Sequence, residues 1–198
     1  MPEIRDISPH QRLGLLQLDH FARQHNIVEK RLIETAGTRF LLDELLGRGT
    51  YTLNYTEHNK PFLEGRSERI SISHSHDLLA IVVNAREETG VDIELIREKV
   101  LRIRHKFLND AERQFAGNDL EKLITLWAAK ESMYKVYGRK KLDFCSHLHV
   151  DPFEGDDLQG KLEAGSSHKR YLMRRERLNG YILVYIMHEI SFAHTQAR

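Results

Sequence analysis

One cysteine in 198 residues, Cys145, leaves no partner for an internal disulfide and too few thiols for a cysteine-built metal cage. Neither sign of charge prevails. Thirty Lys and Arg stand against 29 Asp and Glu, a formal net charge of +1, so nothing draws the whole chain toward nucleic acid or an anionic membrane, and any anion site must be local. Long apolar runs are also missing: the longest, residues 78–83 and 181–187, fall far short of the roughly 20 residues that a helix needs to cross a bilayer. The N-terminus carries scattered charges and no signal-like apolar stretch. These absences predict a soluble, cytoplasmic protein without a membrane or nucleic-acid partner. What is present, 40% hydrophobic and 30% charged residues, suits one globular unit or two small halves sharing a core. The twelve histidines are scattered without ligand spacing, so most are expected at the surface.

Apolar positions recur at helical spacing over residues 11–46, through Leu15, Leu18, Phe21 and Ala22 and then Phe40, Leu41, Leu42, Leu45 and Leu46, which predicts a mostly helical first quarter. Residues 51–55 and 69–73 alternate apolar with polar, and residues 78–83 end in β-branched side chains, so this section reads as strands. A turn at residues 87–90 is expected to close a hairpin into residues 91–94. Helical spacing returns over residues 107–115 and strongly over 123–137, with Gly138 as the stop. Residues 151–167, rich in Gly, Asp, Glu and Ser, predict turns or a mobile loop. Beyond them, strands at 171–175 and 181–187 flank the hairpin pair Asn179-Gly180. Helices followed by strands occur twice, over residues 1–95 and 96–198. That order suggests an α+β fold built by degenerate duplication, the alternative being one α+β domain without internal symmetry.

Chemistry concentrates in two segments. In Gly90-Val91-Asp92-Ile93-Glu94, strand alternation turns Val91 and Ile93 to the core and projects Asp92 and Glu94 together from the other face. Two neighbouring carboxylates disfavour each other's ionisation unless a cation or solvent intervenes, so the pair is either a metal ligand set or an exposed polar face. In Trp127-Ala128-Ala129-Lys130-Glu131-Ser132-Met133-Tyr134-Lys135, a helical period places Leu123, Leu126, Trp127, Met133, Tyr134 and Tyr137 on a buried stripe. Trp127, Glu131 and Lys135 then rise along its edge. By itself Glu131 reads as one half of an i,i+4 ion pair with Lys135.

Taken in order, G-V-D-I-E and W-A-A-K-E-S-M-Y-K resemble the signature of the surfactin-type 4′-phosphopantetheinyl transferases. Asn59-Lys60-Pro61-Phe62-Leu63 looks like that family's G-K-P-x-L segment, and Ile70-Ser71-Ile72-Ser73-His74-Ser75 like its N-I-S-H-S strand end. The resemblance runs from about residue 39 to 141. It departs from the family at Asn59, where glycine is usual, and at His76, where a small residue is frequent. It implies a pseudo-duplicated α+β fold, a monomer, and an active site between the two halves. It also implies magnesium-dependent transfer of phosphopantetheine from coenzyme A to a serine of an acyl or peptidyl carrier protein, with release of 3′,5′-ADP.

Carried over position by position, the resemblance makes Asp92, Glu94 and Glu131 the magnesium carboxylates and places Asp92, Glu131 and Lys135 at the reacting phosphate. Glu131 or a magnesium-bound water that it holds is the candidate base. Lys60, Ser73, His74, Arg39 and Lys135 become the coenzyme A contacts. Arg139, Lys140 and Lys141 beside Leu142 could dock an acidic carrier, or simply complement the end of a helix. The same carboxylates would also serve a pyrophosphate hydrolase, or remain in a degenerate paralogue that binds coenzyme A or a carrier without transfer. A nucleic-acid module built on residues 135–141 is disfavoured by the near-zero net charge.

Overall fold

The computed structural model describes residues 1–138 and 142–190. The chain opens on a hairpin, β1 (Glu3–Ser8) and β2 (Gln11–Gln17), followed by helices α1 (Leu18–His25) and α2 (Lys30–Leu46). The helical expectation therefore holds only from Leu18 onward. Residues 11–17 escape it because β2 is buried on both sides: Leu13 and Leu15 face one core, Leu16 another, and Gly14 presses against Leu41 and Leu45 of α2. A strand with two apolar faces shows no period of two, and its Leu spacing passes for a helix.

After a small ribbon of β3 (Thr52–Tyr55) and β4 (Pro61–Glu64), strands β5 (Arg69–Ser75) and β6 (Leu78–Asn84) complete an antiparallel sheet in the order β1-β2-β6-β5. The next strand, β7 (Val91–Leu95), does not fold back on β6 as the expected hairpin. It crosses to a second sheet, pairing antiparallel with β11 (Tyr181–Ile190) from Val91 opposite Tyr185 to Leu95 opposite Tyr181. Between these partners come α3 (Lys99–Ile103), a 3₁₀ turn (Arg104–Lys106), α4 (Asp110–Ala116), α5 (Leu120–Tyr137), β8 (Leu148–Val150), β9 (Asp157–Ala164) and β10 (Ser167–Leu178). The second sheet runs β7-β11-β10-β9-β8.

Strand β9 corrects the loop expected over residues 151–167. Leu158, Gly160 and Leu162 form its buried face, but Gly160 carries no side chain because Met133 and Met173 fill the space, and that gap hides the alternation. The Asn179-Gly180 turn between β10 and β11 is where the residues put it.

The two sheets meet through Leu13, Leu15, Ala80, Val82, Val91, Ile93 and Leu183. On the far side of the first sheet, α1 and α2 pack on Leu79, Ile81 and Val83. On the far side of the second, α5 packs on Ile182, Val184 and Ile186. The result is an α+β stack of helix, sheet, sheet and helix, with β6 and β11 apolar on both faces as strands inside such a stack must be. Helix α5 starts on Asp119, whose side chain accepts from the Lys122 amide, and stops at Gly138 in the left-handed conformation, φ 62°.

Candidate active site

Strand β7 and helix α5 lie unusually close. A Cβ on Gly90 would fall inside contact distance of the Ser132 carbonyl group, so glycine is what lets the helix backbone settle against this strand. Ser132 secures the approach, its hydroxyl reaching the carbonyls of Ala128 at 2.8 Å and Val184 at 3.0 Å. With Val91 and Ile93 turned into the inter-sheet core, Asp92 and Glu94 face α5 and meet Lys135 and Trp127.

From the other side, β5 approaches β7 through side chains. The Ser71, Ser73 and Ser75 hydroxyls accept from the backbone amides of Val91 (3.0 Å), Ile93 (3.3 Å) and Leu95 (3.2 Å). Two of the same hydroxyls donate onward, Ser73 to Asp92 Oδ1 at 2.7 Å and Ser75 to Glu94 Oε2 at 3.1 Å. The alternating serines of I-S-I-S-H-S thus join the two sheets and orient both β7 carboxylates.

Asp92 is only 4% exposed. Its Oδ1 also accepts from Lys135 Nζ at 2.7 Å, while Oδ2 is buried and has no partner among the described residues. Lys135 therefore pairs with Asp92 and the Val91 carbonyl (2.8 Å), where the helix spacing suggested Glu131. Glu94 is held by Ser75 and by the Trp127 indole, whose Nε1 donates to Oε1 at 3.0 Å. Burial first, and the Asp92 charge second, push the Glu94 carboxyl above the usual carboxylate range. The same two causes in the same order lift Glu131 to about 7, with Lys135 pulling the other way.

Beside these groups opens a cleft of about 350 Å³, lined by Asn59, Lys60, Ser71, Glu131, Tyr134 and Lys135 among others. Lys60 crosses from the β3–β4 ribbon to the end of α5, donating to the Val136 carbonyl at 2.9 Å and to Glu88 Oε2 at 2.5 Å. Both departures from the family pattern sit at positive φ, Asn59 at 60° and His76 at 54°. That is the geometry which makes a small or glycine residue usual there, and which Asn adopts more readily than most residues.

Asp92, Lys135 and Ser73 thus meet in direct contacts, Glu94 is held beside them by Ser75 and Trp127, and Lys60 and Glu131 line the adjoining cleft with Lys135. His74 is half-exposed, its Nδ1 3.7 Å from Glu34 Oε1, and the exposed Arg39 lies on α2; neither lines the cleft. Arg139, Lys140 and Lys141 lie outside the described residues. Trp127, Ser75 and Glu88 belong to the site without having been assigned a role in it. Ser75 had a signal in the serine alternation, whereas nothing local marks Glu88 as the partner of Lys60.

Among the described residues no group of three or more His, Cys, Asp or Glu side chains is gathered so as to hold a metal ion by itself. Magnesium seldom requires one, since it commonly takes one or two carboxylates and fills its octahedron with water and substrate phosphate. The orphaned buried Oδ2 of Asp92, beside two carboxyls whose ionisation is disfavoured, fits a hard cation in that mode.

The 4′-phosphopantetheinyl transferase superfamily model matches residues 88–185, just under half of the chain. That stretch contains Asp92, Glu94, Glu131 and Lys135, and begins after Arg39, Lys60, Ser73 and His74. It supports phosphopantetheine transfer as the general class of activity, with coenzyme A and a carrier protein as the general class of partners. No curated protein matches the chain. Among the described residues no helix is long and apolar enough to cross a membrane.

Proposed function

We propose that this protein is a magnesium-dependent 4′-phosphopantetheinyl transferase of the surfactin type, a two-halved monomer of the cytoplasm that converts apo carrier proteins to their holo form. The observation that carries the proposal is one cleft in which Lys60, Glu131 and Lys135 converge beside the orphaned oxygen of Asp92. Two ammonium groups suit a pyrophosphate, and the carboxylates next to them suit the cation that accompanies it.

In this reading Lys60 binds the nucleotide phosphates and Lys135 the phosphate of the pantetheine arm, while Ser73 holds Asp92 in position. Asp92, with Glu94 and Glu131 beside it, would contribute the one or two carboxylates that hold magnesium, which would supply charge neutralisation at the pyrophosphate. The carrier serine Oγ attacks the β-phosphorus of coenzyme A. A new P–O bond forms, the bond to the α-phosphate oxygen breaks, and 3′,5′-ADP leaves with the electron pair. The serine proton passes to Glu131, directly or through a water that it orients.

Intact-mass spectrometry of apo carrier proteins incubated with the protein, coenzyme A and magnesium tests this. A magnesium-dependent gain equal to the phosphopantetheine arm on one carrier supports it and names the substrate class. Coenzyme A binding with no gain on any carrier replaces it with a degenerate, non-transferring paralogue, and coenzyme A cleavage without acceptor replaces it with a hydrolase.

A further inference from the structure

We propose that Trp127 is a positioning residue: its indole N–H fixes the rotation of the Glu94 carboxylate, and a buried ammonium, Lys130, aims the indole. The proposal rests on Glu94 belonging to the site described above.

Glu94 is gripped from two directions, Ser75 of the first sheet donating to Oε2 and Trp127 of α5 donating to Oε1. A carboxylate has about four lone-pair directions, so two remain for a ligand while the plane of the group is set. Rotation of the indole is in turn blocked by two rings. Phe107 meets it edge-on at 5.0 Å between centroids, and Phe144 stacks on it at 5.6 Å. Phe144 also leans on Tyr134 of the same helix, at 5.4 Å.

The backbones of both ring-bearing residues are held by one group. Lys130 is 0% exposed, and its Nζ donates to the Phe107 carbonyl at 2.7 Å, to the Phe144 carbonyl at 2.9 Å and to Glu112 Oε2 at 2.6 Å. Three acceptors satisfy all three N–H bonds of an ammonium. Burying that charge lowers the Lys130 pKa, and Glu112 opposes the shift. A buried ion pair is by itself weak evidence of a stabilising role, because its desolvation offsets its attraction. What the ammonium adds is a fixed distance between two carbonyls, hence a fixed slot for the indole between the rings. Outer contacts of this kind orient the groups that bind a ligand and typically change its affinity by roughly 10–100-fold when removed.

Because Trp127 is the sole tryptophan, the protein gives a single indole N–H resonance in a ¹⁵N-labelled sample, which reads this contact directly. In Glu94→Gln that resonance should move upfield as the charged acceptor is lost, and in the wild-type protein Mg²⁺ alone should shift it saturably. Trp127→Phe keeps the ring and removes the donor. Its melting temperature should stay within a few degrees of wild type, while calorimetric Mg²⁺ affinity and kcat both fall roughly 10-fold or more. An indole resonance indifferent to Glu94→Gln overturns the proposal. So does a Trp127→Phe protein with wild-type Mg²⁺ affinity and turnover. A wild-type protein that takes up no Mg²⁺ counts against the metal in the proposed function, and the Glu94→Gln spectrum still decides whether the indole holds that carboxylate.

Discussion

Replacing Glu131 with Gln should make the metal-free protein more stable at neutral pH while removing its activity. The Glu131 carboxyl is lifted from its usual 4.5 to about 7, chiefly by burial and then by the Asp92 charge. At about 1.4 kcal/mol per unit, that displacement opposes folding by about 3 kcal/mol at pH 7, and about 1.5–3 kcal/mol after discounting for partial solvent exposure. The sign follows from proton counting. Between about pH 4.5 and 7 the folded state keeps a proton that the unfolded state has lost, so stability falls as pH rises through that window and levels off above it. Gln bears no charge and removes that slope. Thermal unfolding with a chelator present, from about pH 4.5 to 8, should show the two proteins nearly equal at the acid end. Toward pH 8 the variant should pull ahead, a gap of roughly 3–10 °C in melting temperature. Transfer should drop by roughly 10²–10⁴-fold, the usual contribution of a positioned acid or base. Parallel pH profiles for the two proteins would show that Glu131 is not held against its ionisation, and the reasoning would fail.

Lys130→Met should cost about 3–5 kcal/mol, because it leaves Glu112 charged and buried, and the loss is read as a lower urea midpoint at unchanged slope. Gly90→Ala should cost about 3 kcal/mol or more, since the new methyl meets the Ser132 carbonyl backbone rather than a movable side chain. Activity lost with wild-type melting would contradict that account. Lys60→Ala should raise the KM for coenzyme A by roughly 10–100-fold with kcat nearly unchanged, as expected when a charged contact to a non-reacting phosphate is removed; a fall in kcat at constant KM would move Lys60 to the reacting centre.

Which parts of this site could be read in the residues depends on where each group's partner sits. Helix α5 was legible because the signals read for it, an apolar stripe and a Gly138 stop, are internal to it. The same holds for the alternation that turned Asp92 and Glu94 away from Val91 and Ile93. Misreadings came where both faces of a strand are buried, as in β2, or where a glycine interrupts the alternation, as at Gly160 in β9. They also came where a strand leaves its neighbour, as β7 does: nothing in residues 87–95 says that β7 pairs with β11, some 90 residues away. The serines of β5 were read correctly as strand residues, yet their task is to cap amides of a strand in another sheet, which periodicity cannot express.

Lys130 shows the limit most clearly. Beside Glu131 on the helix it looks like any surface lysine, and its meaning comes from carbonyls 23 residues before it and 14 after it. Local pattern, with the resemblance it carries, therefore picks out the carboxylates and the lysine that the fold brings together beside the cleft. The groups that aim them take their identity from contacts distant in the chain, and only the folded arrangement exposes those.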